Sequence, residues 1–327
     1  MERALRRGAY VATLRPLRTA VGTPYSMKDV LAFYKFFEMS DPEQLRDELI
    51  ELGRGLELKG TILIGTEGLN ATVTGSKENL QNLVDWLEDR FGDFPFKWSL
   101  AEKMNEVFFR FKVKLKKEIV TMGVQELDMK TLGKHVDHVE WNELLLDPDV
   151  TVIDARNDYE TDIGTFPGSV LPGISNFREF PAWVADELDP KEHKKVAMFC
   201  TGGIRCEKAS AYMLEQGFES VYQLDGGILK YLESVDKQKN LWDGECFVFD
   251  QRVSVNSGLK QGSYHQCFAC RHPLDESELD SKDYEEGVSC VYCVSEKSQE
   301  RRQQFRQRQK QIGLANQRGE RHLGITK

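Results

Sequence analysis

The apolar positions of this chain change period several times, and each change marks an element. From Val30 to Met39 the run is aromatic and apolar and predicts a strand; Asp41-Pro42-Glu43 then opens a helix as N-cap, first-turn proline and early acid. Two further strands are predicted, Lys59 to Gly65 and Leu69 to Thr74, around a Glu67-Gly68 turn. Ser76 caps a second helix that runs to Phe91 and stops before Gly92. Phe96 to Leu100 is a short strand and Val107 to Val120 a long one. In the long one Val107, Phe109, Phe111, Val113 and Leu115 share a face, with Arg110, Lys112, Lys114 and Lys116 on the other.

The resulting order, β-α-β-β-α-β, is the split βαβ arrangement of a ferredoxin-like domain over residues 27–122. Residues 123–240 alternate strand and helix as a parallel α/β unit. Its first buried strand, from Val150, ends in Asp154-Ala155-Arg156, and a loop from Ile163 to Ser169 returns the chain to the sheet. Lys195 to Phe199 is a second buried strand, followed at once by Cys200-Thr201-Gly202-Gly203-Ile204-Arg205. Helical spacing begins at Cys206 and closes with Gly217-Phe218. Val221 to Leu224 leads into Asp225-Gly226-Gly227 and a last helix. Beyond it, Trp242 to Asp250 reads as an aromatic-rich strand. Residues 241–327 also carry two CxxC pairs and an Arg/Gln-rich helix and tail.

Composition adjusts this picture in three places. With 327 residues, 40% of them hydrophobic, the chain has enough apolar material for two or three domain cores. No run of apolar residues is long enough to predict a membrane-spanning helix. The net charge of −9 is unevenly spread: residues 1–26 hold five Arg and one acid, and Ser295 to Lys327 nine Lys or Arg against three Glu. Residues 1–26 are read as a basic, disordered extension outside the fold; a transit peptide, or a segment upstream of a start at Met27, are the alternatives. Seven cysteines, an odd number, argue against a secreted disulfide framework and for a reducing compartment, the cytoplasm.

Cys200 carries the candidate chemistry. A cysteine at the carboxyl end of a strand lies where open α/β sheets bind ligands. The loop it heads can turn its N–H groups on an anion, which lowers a thiol pKa. Thr201, Gly202, Gly203 and Ile204 form that cradle, and Arg205 is its cation. Six residues from Cys200 to Arg205 suit a persulfide sulfur; a phosphate-binding cysteine loop is one residue longer. Cys206, next along, is either a core residue or a resolving thiol. Cys267, Cys270, Cys290 and Cys293 read as structural zinc ligands, since two CxxC knuckles 19 residues apart supply four thiolates and leave no open position. His135 and His138, with Asp137 between them, find no third ligand and read as a surface pair, and Cys246 as packing. No flavin or nicotinamide fingerprint occurs. The ladder Arg110, Lys112, Lys114 and Lys116, and the tail's Arg301, Arg302, Arg306 and Arg308, are either solvated faces or RNA-binding surfaces.

The series Asp154-x-Arg156, Gly164-x-x-Pro167-Gly168, Cys200-x4-Arg205 and Asp225-Gly226-Gly227 resembles the rhodanese family, with Gly164-Thr165 where many members have Gly-His. With the ferredoxin-like (acylphosphatase-like) domain before it, and Trp242-x-Gly244-x-Cys246-Phe247-Val248-Phe249-Asp250-x-Arg252 and the CxxC pairs after it, the whole chain from Met27 resembles the rhodanese-containing tRNA uridine hydroxylases. That resemblance implies oxygen-dependent formation of 5-hydroxyuridine at the wobble position of tRNA, with Cys200 as active-site cysteine in persulfide form. Asp154 and Arg156 would support it. It also implies the anticodon loop as partner, molecular oxygen as co-substrate and an electron donor that the residues do not name. Two other classes stay open: a sulfurtransferase acting on a thiol or RNA acceptor, and a non-enzymatic RNA-binding or persulfide-sensing module.

Overall fold

The computed structural model describes residues 28–101, 107–124 and 126–319; the basic extension, residues 1–26, lies outside them. The first unit pairs its strands in the order β4-β1-β3-β2-β5, with β1 Lys28–Phe36, β2 Lys59–Gly65, β3 Gly68–Gly75, β4 Lys97–Ala101 and β5 Phe111–Leu115. Helices α1, Pro42–Gly55, and α2, Lys77–Phe91, start at the residues the sequence marks. The Asp41 side chain accepts from Gln44 N–H and that of Ser76 from Asn79 N–H. Leu45 and Leu49 of α1 and Leu80, Leu83 and Leu87 of α2 pack on Leu31, Phe33, Ile62, Ile64 and Val73 of the sheet. Both helices thus cover one face. The other face is left for a different partner.

Period-2 alternation places that open face by register. Lys97 pairs with Ala32, Ala32 with Thr72, Thr72 with Thr61 and Thr61 with Lys112, one row across the whole sheet. The expected long strand from Val107 to Val120 is only β5. Its parallel partner β2 supplies pairing from Gly60 to Ile64 and no further. Phe109 is therefore exposed, and Val107 packs against Val30 in a separate small cluster. Within β5 the alternation holds: Lys112 and Lys114 are exposed, Phe111, Val113 and Leu115 half-buried.

The second unit is a parallel sheet of order β6-β10-β9-β7, with β6 Lys134–Val136, β7 Val150–Asp154, β9 Lys195–Phe199 and β10 Ser220–Leu224. Val170 forms a parallel bridge to Ile153, so the loop after β8, Gly164–Thr165, returns to the sheet as expected. In β9, Val196 and Met198 face one core, Ala197 and Phe199 the other, because helices or loops cover both faces. The helix Ile204–Glu215 ends in a Schellman motif: Phe218 N–H bonds Met213 C=O, Gly217 N–H bonds Leu214 C=O, and Gly217 has φ +91°.

The expected strand from Trp242 to Asp250 is instead a strap. It makes only the two-residue strands Asp243–Gly244, paired with β8, and Cys246–Phe247. Its aromatic residues serve packing: Trp242 closes on Phe166 and Phe199, and Cys246 is fully buried in the same core. The chain then forms a small cysteine-centred module with the helix Gln299–Gln317 beside it. No helix among the described residues is long and apolar enough to cross a membrane.

Candidate active site

The turn from β9 into the helix Ile204–Glu215 is held from behind. Gly203 takes φ +95° as that helix's N-cap, a conformation that favours glycine. The Asp225-Gly226-Gly227 motif supplies the backing. Ile228 N–H donates to Cys200 C=O at 3.0 Å and Leu229 N–H to Thr201 C=O at 3.1 Å. A Cβ at Gly227 would stand 2.4 Å from the Cys200 carbonyl oxygen and 2.7 Å from Gly203 N. With the Cys200 and Thr201 carbonyls committed to that side, the loop's N–H groups are left for sulfur.

Cys200 Sγ accepts from Gly203 N–H at 3.1 Å. Burial alone would raise the thiol's pKa. Hydrogen bonding from the Cys206 thiol, the charge of Arg205 and the N–H groups of Cys206 and Arg205 outweigh it and bring the pKa down to about 5. Cys206 moves the opposite way, pushed well up by burial and by the Cys200 thiolate it donates to. At neutral pH the pair is a thiolate held by a thiol.

Arg205 does not reach forward as a free cation. Its guanidinium makes a two-point pair with Glu160, 2.6 and 2.7 Å, and Thr201 Oγ1 donates to the same carboxylate at 3.2 Å. Glu160 is completely buried and stays ionised: burial works against it, but Arg205, then Arg156, lower its pKa. Asp154 and Arg156 sit one layer further back. Arg156 holds Asp154 at 2.8 and 2.6 Å and donates to the carbonyls of Glu160 and Gly164. Thr165 Oγ1 donates to Asp154 Oδ2, so the threonine in the returning loop closes this network.

The open face of the first sheet stands over the cysteine loop. Tyr34 Oη donates to Glu207 Oε1 at 2.9 Å, Lys97 Nζ donates to Gly202 C=O, and Lys208 pairs with both Glu67 and Glu118. Arg252 reaches Ser99 Oγ at 2.9 Å. Between the two units lies a cavity of about 460 Å³, lined on one side by Ala32, Tyr34, Thr72 and Lys97 and on the other by Cys200, Arg205 and Phe249. Phe249 is 60% exposed, with the Arg205 guanidinium 5.8 Å from its ring centre. Glu160, Glu207, Tyr34, Lys97 and Phe249 are the site residues that sequence reasoning missed. Only Glu160 left a readable signal, as the fourth residue of an Asn-x-x-Glu capping box starting at Asn157. His135, set aside as a surface residue, bonds Glu207 at 3.1 Å, while Asp137 caps the helix His138–Leu146.

Cys267, Cys270, Cys290 and Cys293 converge, their Sγ atoms all within 4.8 Å of one another. The Cys267–Cys293, Cys270–Cys290 and Cys290–Cys293 separations are 4.0, 3.6 and 3.8 Å. Four thiolates about 2.3 Å from a tetrahedral Zn²⁺ would stand ~3.8 Å apart. The cluster fits a zinc knuckle.

The basic residues fall in two groups. Arg110, Lys112, Lys114 and Lys116 are exposed, and Lys112 and Lys114 continue the rows of Thr61 and Leu63 that line the cavity. The tail helix spends some of its charge internally. Arg306 pairs with Glu285, Arg308 donates to the carbonyls of Phe268 and Gly287, and Arg301 and Arg308 flank Phe305. Arg302 is half-buried on the same helix.

Comparison with known proteins agrees with this division. A UPF0176 acylphosphatase-like domain model matches residues 28–119 and a rhodanese-like domain model residues 138–234. A protein of Teredinibacter turnerae named tRNA uridine(34) hydroxylase is 51% identical over 296 residues, 90% of this chain and 92% of that protein. The chain belongs to the tRNA uridine(34) hydroxylase family. Among solved structures, a rhodanese-like domain from Anabaena sp. is 17% identical with a TM-score of 0.29, covering 35% of this chain and 80% of its own. An acylphosphatase from Coxiella burnetii is 13% identical with a TM-score of 0.22, covering 28% and 100%.

Proposed function

We propose that this chain hydroxylates the wobble uridine of tRNA at C5 to give 5-hydroxyuridine; the name of its Teredinibacter turnerae relative supports hydroxylation of uridine 34, and the C5 position is our own reading. The observation that carries the reading is the cavity. A thiolate on one wall faces the open sheet of a second domain on the other, and the space of about 460 Å³ falls within the roughly 300–1,000 Å³ of small-molecule sites. A base from the anticodon loop is already single-stranded, so little unstacking energy is needed to bring it there. Phe249 at the wall offers an aromatic face for it to stack on. Arg110, Lys112, Lys114 and Lys116, on the same sheet face as the cavity wall, are placed to follow the RNA backbone. Arg301, Arg302, Arg306 and Arg308 form a second, weaker candidate surface.

The sulfur of Cys200, as thiolate or persulfide, adds to C6 of the uracil and makes C5 nucleophilic toward molecular oxygen. One oxygen atom is retained at C5, and loss of the C5 proton re-forms the C5=C6 bond and expels the sulfur from C6. A reductant, the unnamed electron donor, supplies the two electrons that carry the other to water. Arg205 and Cys206 keep the sulfur ionised, Thr201, Gly202, Gly203 and Ile204 shape its cradle, and Asp154 and Arg156 hold the loop beside it. Zinc at the four cysteines would tie the C-terminal module together, with no open position for a reaction; metal analysis should return one zinc per chain.

The alternative is a persulfide sulfurtransferase, which the N–H-lined cradle also suits. The size of the cavity favours a nucleotide over thiosulfate. The deciding experiment is nucleoside mass spectrometry of tRNA from cells lacking the protein, complemented with wild type or Cys200→Ser. Wild type should restore 5-hydroxyuridine in air and Cys200→Ser should not; equal restoration by the variant would sink the reading.

A further inference from the structure

Lys97 is an edge-strand lysine, a position that normally sends its ammonium to water. Here it is only 9% exposed, because β4 lies against the cysteine loop. Among the described residues its Nζ has one hydrogen-bond acceptor, the Gly202 carbonyl, and no carboxylate pairs with it. The Tyr34 ring lies 4.6 Å beneath it. An ammonium has three donors, so two are left for a group in the cavity that Lys97 lines together with Cys200. The guanidinium of Arg205 is taken up by Glu160 and that of Arg252 by Asp250 and Ser99, so neither duplicates this arrangement. A cation buried without a carboxylate partner costs stability, and such costs concentrate where a charge must be met in a reaction.

We propose that Lys97 is a catalytic residue contributed by the N-terminal domain, donating to O4 of the uracil and holding the negative charge that forms there when sulfur adds to C6. The assignment rests on a uridine as substrate. In the step, the C6–S bond forms and the C5=C6 π pair shifts toward C4–O4, leaving an enolate with charge shared between O4 and C5. Protonation at C5 and reversal return the uridine with its C5 hydrogen exchanged for one from solvent. This partial reaction consumes neither oxygen nor electrons. It isolates the lysine from the oxygen chemistry.

Burial lowers the pKa of Lys97 to about 8, with Cys200, Asp225 and Glu207 pulling it up and Lys230 pushing it down. The ammonium form is the one that donates, so exchange should fall as pH rises through that value. The experiment uses the full-length protein and an anticodon stem-loop RNA in deuterated buffer without oxygen, with exchange at C5 read by mass spectrometry. Wild type should exchange C5 hydrogen. Lys97→Met should lose about 100-fold in exchange, the scale of losing one oxyanion donor. Its RNA affinity should be unchanged and its melting temperature equal or higher, since a buried ammonium with no carboxylate partner has gone. Lys97→Arg should recover part of the rate and lose the falling limb near pH 8. Wild-type exchange by a folded Lys97→Met overturns the assignment. So does a wild type that hydroxylates in air without exchanging, which leaves the hydroxylase reading standing. A wild type that does neither overturns both.

Discussion

Cys206 left two readings in the sequence, packing or resolving thiol, and the structure gives it a third job. It is fully buried and donates to the Cys200 sulfur, so it sets the ionisation of its neighbour. Cys206→Ala should therefore move the pH midpoint of Cys200 thiolate absorbance upward from about 5. Cys206→Ser, which keeps a donor, should leave the midpoint nearly in place. A thiol whose folded pKa is depressed contributes stability that is complete above its unfolded pKa, and that contribution drains away as pH falls through about 5. Cys200 and Arg205 were legible because loop and helix are contiguous in sequence. Glu160, 45 residues before Arg205, and Tyr34, 173 before Glu207, were not, because only tertiary packing brings them to the loop.

At the scale of elements, β7 and β9 were readable to the residue, since a strand buried on both faces leaves a continuous apolar run with clear ends. β5 was over-read. Its alternation continues back through Phe109, but a strand lasts only as long as its partner, and the parallel β2 begins only at Lys59. The strap from Trp242 was over-read for a related reason: aromatic residues that fill a core from a loop give the same composition as a strand. Asp225-Gly226-Gly227 was recognised as a motif without a reason. The reason is the close approach of Gly227 to the cysteine loop at φ +67°. Gly227→Ala should cost about 1–3 kcal/mol in thermal or urea unfolding. It should also suppress hydroxylation more than RNA binding, because the Cβ would displace the Cys200 carbonyl.

On the scale of the whole molecule, domain order and the cysteine cluster were legible, whereas the apposition of the first sheet and the cysteine loop was not. No periodicity encodes which partner an open sheet face will choose. That apposition puts Lys112 and Lys114 of the basic ladder beside Thr61 and Leu63, which line the cavity. Reversing Arg110, Lys112 and Lys114 to Glu should weaken tRNA binding and flatten the plot of log affinity against log salt by about 2 units, from ~0.7 per lost single-strand phosphate contact. An unchanged slope would return the ladder to ordinary solvent-facing charge. The contacts of Tyr34, Lys97, Glu67 and Glu118 with Glu207, Gly202 and Lys208 have one more consequence. All of them end on the cysteine loop or the first turns of the helix behind it. Access to Cys200, which is fully buried, thus runs through the cavity that both domains wall, so the seam between them is also the doorway to the sulfur.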